Sequence, residues 1–149
     1  SQGVVAVVDP ILNGPEGFDM LGARADNAAI LDRAGVSVVF MTSGFGSHNL
    51  RRLRQVAGNA VRAGVPHAVA LNAITKGPAA AYGMSDYGRL VPGAVANIVV
   101  WSGDPLEISS QPEHVFIGGQ SVPLVSRQTR LRDRYRTLPG SPAPALPLP

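Results

Sequence analysis

Two short apolar runs, Val4-Val5-Ala6-Val7-Val8 and Val36-Ser37-Val38-Val39-Phe40-Met41, each lead through a loop into a segment of helical length. Continuous, β-branched runs of this kind read as strands buried on both faces, the pattern of a parallel sheet. Asp9-Pro10 ends the first run, and Asn13-Gly14-Pro15 marks the loop after it. The first helix is expected from about Asp19 to Ala34. Asp19 can serve as its N-cap, and Gly35 can stop it in the left-handed region. Thr42 to Gly46 forms the second loop. Ser47 then caps a helix running to about Ala63, closed by Gly64. The four-residue ending Arg-Ala-Gly-Val recurs at Arg33 to Val36 and Arg62 to Val65, marking the close of successive helices. Strand, helix, strand, helix with short connections is the grammar of a parallel α/β fold.

Two shorter helices follow. Pro66 suits the first turn of one, which carries Val69 to Ile74, and Pro78 opens the other, Ala79 to Tyr82, stopped at Gly83. After Gly88 the grammar changes. Arg89 to Gly93 reads as a strand-turn unit, Ala96 to Trp101 as a strand, and Gly103-Asp104-Pro105 as a turn. His114 to Ile117 is another strand, which Gly118-Gly119 turns into Gln120 to Val122 as a hairpin. This is a small antiparallel β unit. From Ser126 the chain can form one arginine-rich helix. The last 11 residues hold five prolines and read as an extended tail.

The composition narrows the function classes. The chain has 149 residues, 45% of them hydrophobic, and no Cys, which removes disulfides, thiolate zinc sites and thiol nucleophiles. No apolar run approaches the roughly 18 residues that span a bilayer, so no membrane partner is expected. Ser1-Gln2-Gly3 carries neither an initiator Met nor a basic-then-apolar leader, and is expected to be a cut or processed end. The net charge of +3 is local: Arg127, Arg130, Arg132, Arg134 and Arg136 sit with one acid, Asp133, and the rest of the chain carries −1. Only Tyr135 accompanies these arginines. Nucleic-acid recognition wants a basic face interleaved with stacking or base-reading groups, so a solvated or subunit-facing arm is expected instead.

Leu71-Asn72-Ala73-Ile74-Thr75, Pro78-Ala79, Gly83, Gly88 to Gly93, Ala96 to Trp101, Gly103-Asp104-Pro105 and His114 to Gly119 follow in a telling order. In order and spacing they resemble the C-terminal end of the metal-dependent amidohydrolase superfamily, above all its imidazolonepropionase-like branch. The resemblance covers roughly residues 3–125 and is strongest from Leu71 to Gly119. It implies a TIM-like (β/α)8 barrel fused to a small β-sandwich built from both ends of the full chain. Such a barrel takes about 250 residues. On this map the chain holds only the last two β/α units, with Val4–Val8 as the seventh strand and Val38–Met41 as the eighth. The implied division is a barrel fragment at 1–87, a β-sandwich segment at 88–125, and an Arg-rich segment with a Pro-rich tail at 126–149. The missing N-terminal barrel portion, or a partner chain, is then an implied partner, and self-association is expected of the isolated chain.

The resemblance also implies hydrolysis of C–N bonds in non-peptide or dipeptide substrates, with a divalent, zinc-like metal in the intact protein. A metal-held hydroxide is the nucleophile there, and a fixed carboxylate handles its proton. The family places that Asp at the end of the eighth strand. Here the position falls on Ser43, or on Gly44 with a one-residue shift, and no acid occurs anywhere from Val36 to Thr75. The histidines the family uses are absent as well: His48, His67 and His114 are scattered, with no His-x-His pair. No metal ligand is therefore expected in this chain. Asn13, Thr42 and Ser43 are the candidate substrate contacts, because barrel enzymes bind substrate just past C-terminal strand ends; capping and turn chemistry is the alternative for each. Asp9 can brace its loop or touch a ligand. Gly44-Phe45-Gly46 is a weak anion-loop signal. Lys76 and the Arg51, Arg52, Arg54 run read as solvated, and Trp101 as core or interface packing. Three readings stay open: a piece of an amidohydrolase-like hydrolase, a non-catalytic amidohydrolase-fold scaffold or binding protein, and an independent α/β binding module.

Overall fold

β1 (Val5–Val8) and β2 (Ser37–Phe40) lie side by side and parallel in the computed structural model, which describes residues 3–10, 17–42 and 47–136, the side chains of 47–49 excepted. The register pairs Val5 with Ser37 and Val8 with Phe40, and the Met41 N–H extends the ladder by donating to the Val8 carbonyl at 2.9 Å. The crossover between them contains α1 (Asn27–Arg33). After β2 come a 3-10 turn at Ser47–Arg52, then α2 (Leu53–Arg62), α3 (His67–Ala73) and α4 (Lys76–Ala81). A separate antiparallel sheet, β3 (Ile98–Trp101), β4 (Pro112–Ile117) and β5 (Gln120–Val122), follows in that spatial order. α5 (Arg127–Tyr135) is held by a reciprocal Ser126–Thr129 capping box, and none of its residues is buried. No helix among the described residues is long and apolar enough to cross a membrane.

The first helix is much shorter than its sequence pattern predicts. Phe18–Met20 is a 3-10 turn, and α1 begins only at Asn27. Asp19 lies inside that turn and caps nothing. Asp26 takes the N-cap position of α1 but makes no capping bond; its two carboxylate oxygens accept from Arg24 Nε and Nη2 at 2.8 Å each. The Ser47–Ala63 helix likewise opens as a 3-10 turn before α2. α4 starts two residues before Pro78, which is tolerated because first-turn N–H groups need no helical acceptor. Arg89 to Gly93 is an irregular stretch ending in a turn at Pro92-Gly93 rather than a strand. The Gly118-Gly119 hairpin is as expected, with φ of +57° and +79°, the two positive values a tight primed turn needs.

β2 is the buried centre: Val38, Val39 and Phe40 are each at most 4% exposed. β1 departs from the expectation of two buried faces, since Val5 and Val7 remain 37% and 49% exposed. No described element covers that side. The core that β2 shares with α1, α2 and α3 is built largely from alanine (Ala28, Ala29, Ala57, Ala60, Ala70 and Ala73), which lets helices approach closely but buries little area per residue. Leu106, from the loop between β3 and β4, joins that core. Gly58 makes the approach possible, because a Cβ there would sit 2.6 Å from the Leu106 carbonyl oxygen.

Candidate functional site

The parallel register carries both strand C-termini to one edge. Asp9 and Pro10 leave β1 there, and Met41 and Thr42 leave β2 beside them. Thr42 and Asp9 are half-buried, while Pro10 is buried. A cleft of about 260 Å³ opens next to this edge, walled by Val8, Asp9, Pro10, Met20, Arg24 and Asn27 among others. Arg24 supplies a cation near its rim, already paired with Asp26 and holding that carboxyl below its ordinary range. Asn13, Ser43 and the Gly44-Phe45-Gly46 loop lie outside the described residues. The structure thus brings Asp9 and Thr42 to one edge.

A second polar cluster was not singled out by sequence reasoning. His67 Nε2 lies 2.7 Å from Asp104 Oδ2, and Asp104 Oδ1 accepts the Leu106 N–H at 2.9 Å. The Leu106 N–H does most to hold the Asp104 carboxyl below its usual value; desolvation opposes it, and the bond and charge of His67 add smaller lowering effects. The pair borders a cleft of about 380 Å³ that includes Asn59, Arg62, Leu106 and Glu107. Beside it, Arg54 Nη1 donates to the Glu107 carbonyl at 2.7 Å and the Pro105 carbonyl at 3.3 Å, while Nη2 reaches the Ile108 carbonyl at 3.4 Å. The guanidinium also stands 4.9 Å from the centre of the Trp101 ring. Arg54 is therefore not the solvated charge that the arginine run suggested. The Gly103-Asp104-Pro105 turn was the available signal, since Asp in a turn bonds the backbone two residues on. Its partners on α3 and α2 are 37 and 51 residues away and left no sequence trace.

The Amidohydrolase family profile matches residues 18–123, more than half of the chain. The chain belongs to the amidohydrolase family. An adenine deaminase of Methanopyrus kandleri is 38% identical over 87 residues, covering 58% of this chain and 13% of that protein. An amidohydrolase of Hapsidospora irregularis, tasK, is 34% identical over 89 residues, covering 56% of this chain and 9% of its own length. The crystal structure of an amidohydrolase from Thermotoga maritima superposes with a TM-score of 0.70 at 31% identity, over 78% of this chain and 30% of that one. A second amidohydrolase crystal structure matches at a TM-score of 0.57 and 28% identity, over 70% of this chain and 27% of that one. The chain therefore spans only a small part of its amidohydrolase relatives, and the mixed α/β architecture is theirs.

Amidohydrolases are generally metal-dependent, and the donors among the described residues of this chain do not fit a metal. Among the described residues no three His, Asp or Glu side chains converge. His67 is committed to Asp104, and His114 lies on β4 with its ring centre 6.5 Å from that of Phe116. The side chain of His48 lies outside the described residues. Two half-exposed partners at one surface cleft make a clamp between layers, and among the described residues no hydroxyl bonds His67 for it to activate as a nucleophile.

Proposed function

We propose that this chain supplies the last two β/α units of a (β/α)8 barrel, and the C-terminal share of a small β-sandwich, to an amidohydrolase. The parallel β1–β2 pair, with both strand ends at one polar edge, carries this reading. The superposition over 78% of this chain but 30% of the Thermotoga maritima enzyme supports it. The barrel portion is 1–87, the sandwich segment 88–125, and 126–149 forms a basic arm and tail facing solvent or a subunit. The reaction is hydrolysis of a C–N bond in a non-peptide or dipeptide substrate. The M. kandleri relative, named for deaminating adenine, favours the non-peptide class. Thr42, with Ser43 and Asn13, would touch substrate at the strand ends. A zinc-like divalent metal would be held by histidines on the missing barrel portion, which is the required partner. Neither nucleic acid nor a membrane is a partner in this reading.

One observation favours a second reading, a non-catalytic barrel that binds or scaffolds. By the resemblance, Ser43, or Gly44 with a one-residue shift, stands where the family keeps its proton-accepting Asp, and no carboxylate between Val36 and Thr75 replaces it. A serine hydroxyl is a poor base at neutral pH. Metal analysis and hydrolysis assays separate the readings. The 149-residue chain should retain no stoichiometric zinc after dialysis, and should cleave no amide, lactam or dipeptide. Joined to the remaining barrel, it should hydrolyse substrate on the first reading, and on the second gain metal affinity or activity only with Ser43→Asp. Tight zinc or turnover in the chain alone would sink both.

A further inference from the structure

The cleft between α2, α3 and the 103–108 loop is lined wholly by residues 55–108, and bonds within the chain hold both of its walls. On one side Arg54 ties down three carbonyls of the loop, and Gly58 lets that loop lie close against α2. On the other, the His67 ring joins α3 to Asp104. Its shape therefore owes nothing to the strand that would lie beside β1. The volume of about 380 Å³ falls within the roughly 300–1,000 Å³ of small-molecule sites, which are mostly preformed.

Two charges at this cleft have no partner. His67 and Asp104 hold each other, and Arg54 serves the loop. By contrast, among the described residues no side chain or backbone group bonds or pairs with the Arg62 guanidinium or the Glu107 carboxylate. Both border the cleft without pairing with each other. Gln55 and Asn59 recur at helical spacing on the face of α2 that carries Arg62, and their amides are unbonded too. Leu106, only 7% exposed, adds apolar surface.

We propose that this cleft binds a small zwitterion with an apolar side chain, an amino acid or a dipeptide, with its carboxylate on Arg62 and its ammonium on Glu107. A plain anion would meet two carboxylates there, Glu107 and Asp104, and a plain cation would meet Arg62. A ligand carrying both charges is repelled by neither. The guanidinium offers paired N–H donors that match a carboxylate, and an amide such as Gln55 or Asn59 can both donate to and accept from a ligand. Leu106 gives the apolar side chain a surface to cover. This inference does not use the catalytic reading: the strand-end cleft near Asp9 shares no lining residue with this one.

Titration of leucine and of glycyl-leucine into the full 149-residue chain, followed by NMR, tests it. Resonances of Asn59, Arg62, His67 and Glu107 should shift saturably in the millimolar range, and those of Thr42 should not. Isocaproate, which lacks the ammonium, and isoamylamine, which lacks the carboxylate, should bind about fivefold more weakly or worse. Arg62→Gln and Glu107→Gln should each weaken leucine binding by a similar factor. Both side chains are exposed, so neither substitution should disturb the fold. Lys76→Gln, outside the cleft, should leave binding unchanged. The absence of saturable shifts, equal binding of isocaproate or isoamylamine, or indifference to both cleft substitutions would overturn the proposal. So would an equal loss with Lys76→Gln. Binding that persists once the missing barrel portion is joined, with or without hydrolysis, supports the site; binding lost on joining would overturn it.

Discussion

At Asp104 one carboxylate ties together partners that the sequence keeps apart, the Leu106 N–H two residues on and the His67 ring on α3. Both bonds favour the charged form, so its pKa in the folded state lies below the ordinary Asp value of about 3.9. A depressed carboxyl contributes stability above its unfolded pKa, and that contribution is lost as pH falls through the folded one. Asp104→Asn keeps an oxygen for Leu106 but discards the charge. With both side chains more than a third exposed, the loss at pH 5–7 should be under about 1 kcal/mol. The urea midpoints of the two proteins should converge as pH drops below about 4. A constant gap down to pH 2 would place the effect elsewhere.

Among the elements, α2 does most to join the two layers. Gly58 lets its backbone side lie against Leu106, and Arg54 on the same helix ties three carbonyls of the 105–108 loop while covering Trp101. Lysine is charged and long enough to reach, but it lacks the planar fork that serves several acceptors at once. Arg54→Lys should therefore cost about 1–2 kcal/mol in urea unfolding. It should also change the emission of Trp101, the single tryptophan. An unaltered emission spectrum would show that the guanidinium is not seated on the ring. Elements with local punctuation were legible beforehand: the Gly118-Gly119 hairpin, the Ser126-capped α5, and the helix stops at Gly35 and Gly64, with φ of +76° and +104°. The start of α1 was not, because residues 18–20 form a 3-10 turn and the helix begins only at Asn27, with no side-chain cap to mark it.

Across the whole molecule, burial is uneven. β2 is enclosed, whereas Val4, Phe18, Leu90 and Ile108 are each at least two-thirds exposed. An alanine-built core offers limited area to offset chain entropy. Apolar surface distributed this way should bind a hydrophobic dye in the native chain, and the signal should fall when the missing barrel portion is supplied. A dye-silent monomer with a sharp cooperative melt would count against a shared barrel.

The sequence by itself determined the parallel α/β opening, the antiparallel unit after it and the family, because apolar period, turn glycines and motif order are local and cumulative. It also showed that these residues hold no His-x-His pair and no acid between Val36 and Thr75. Only the tertiary structure decided which polar groups meet. Thr42 comes beside Asp9 because parallel pairing aligns two strand ends 32 residues apart in register. His67 finds Asp104, and Arg54 finds the 105–108 carbonyls, because α2 and α3 pack on one loop. Exposure of Val5 and Val7 was likewise a tertiary outcome: an apolar strand is buried on both faces only when something lies on both.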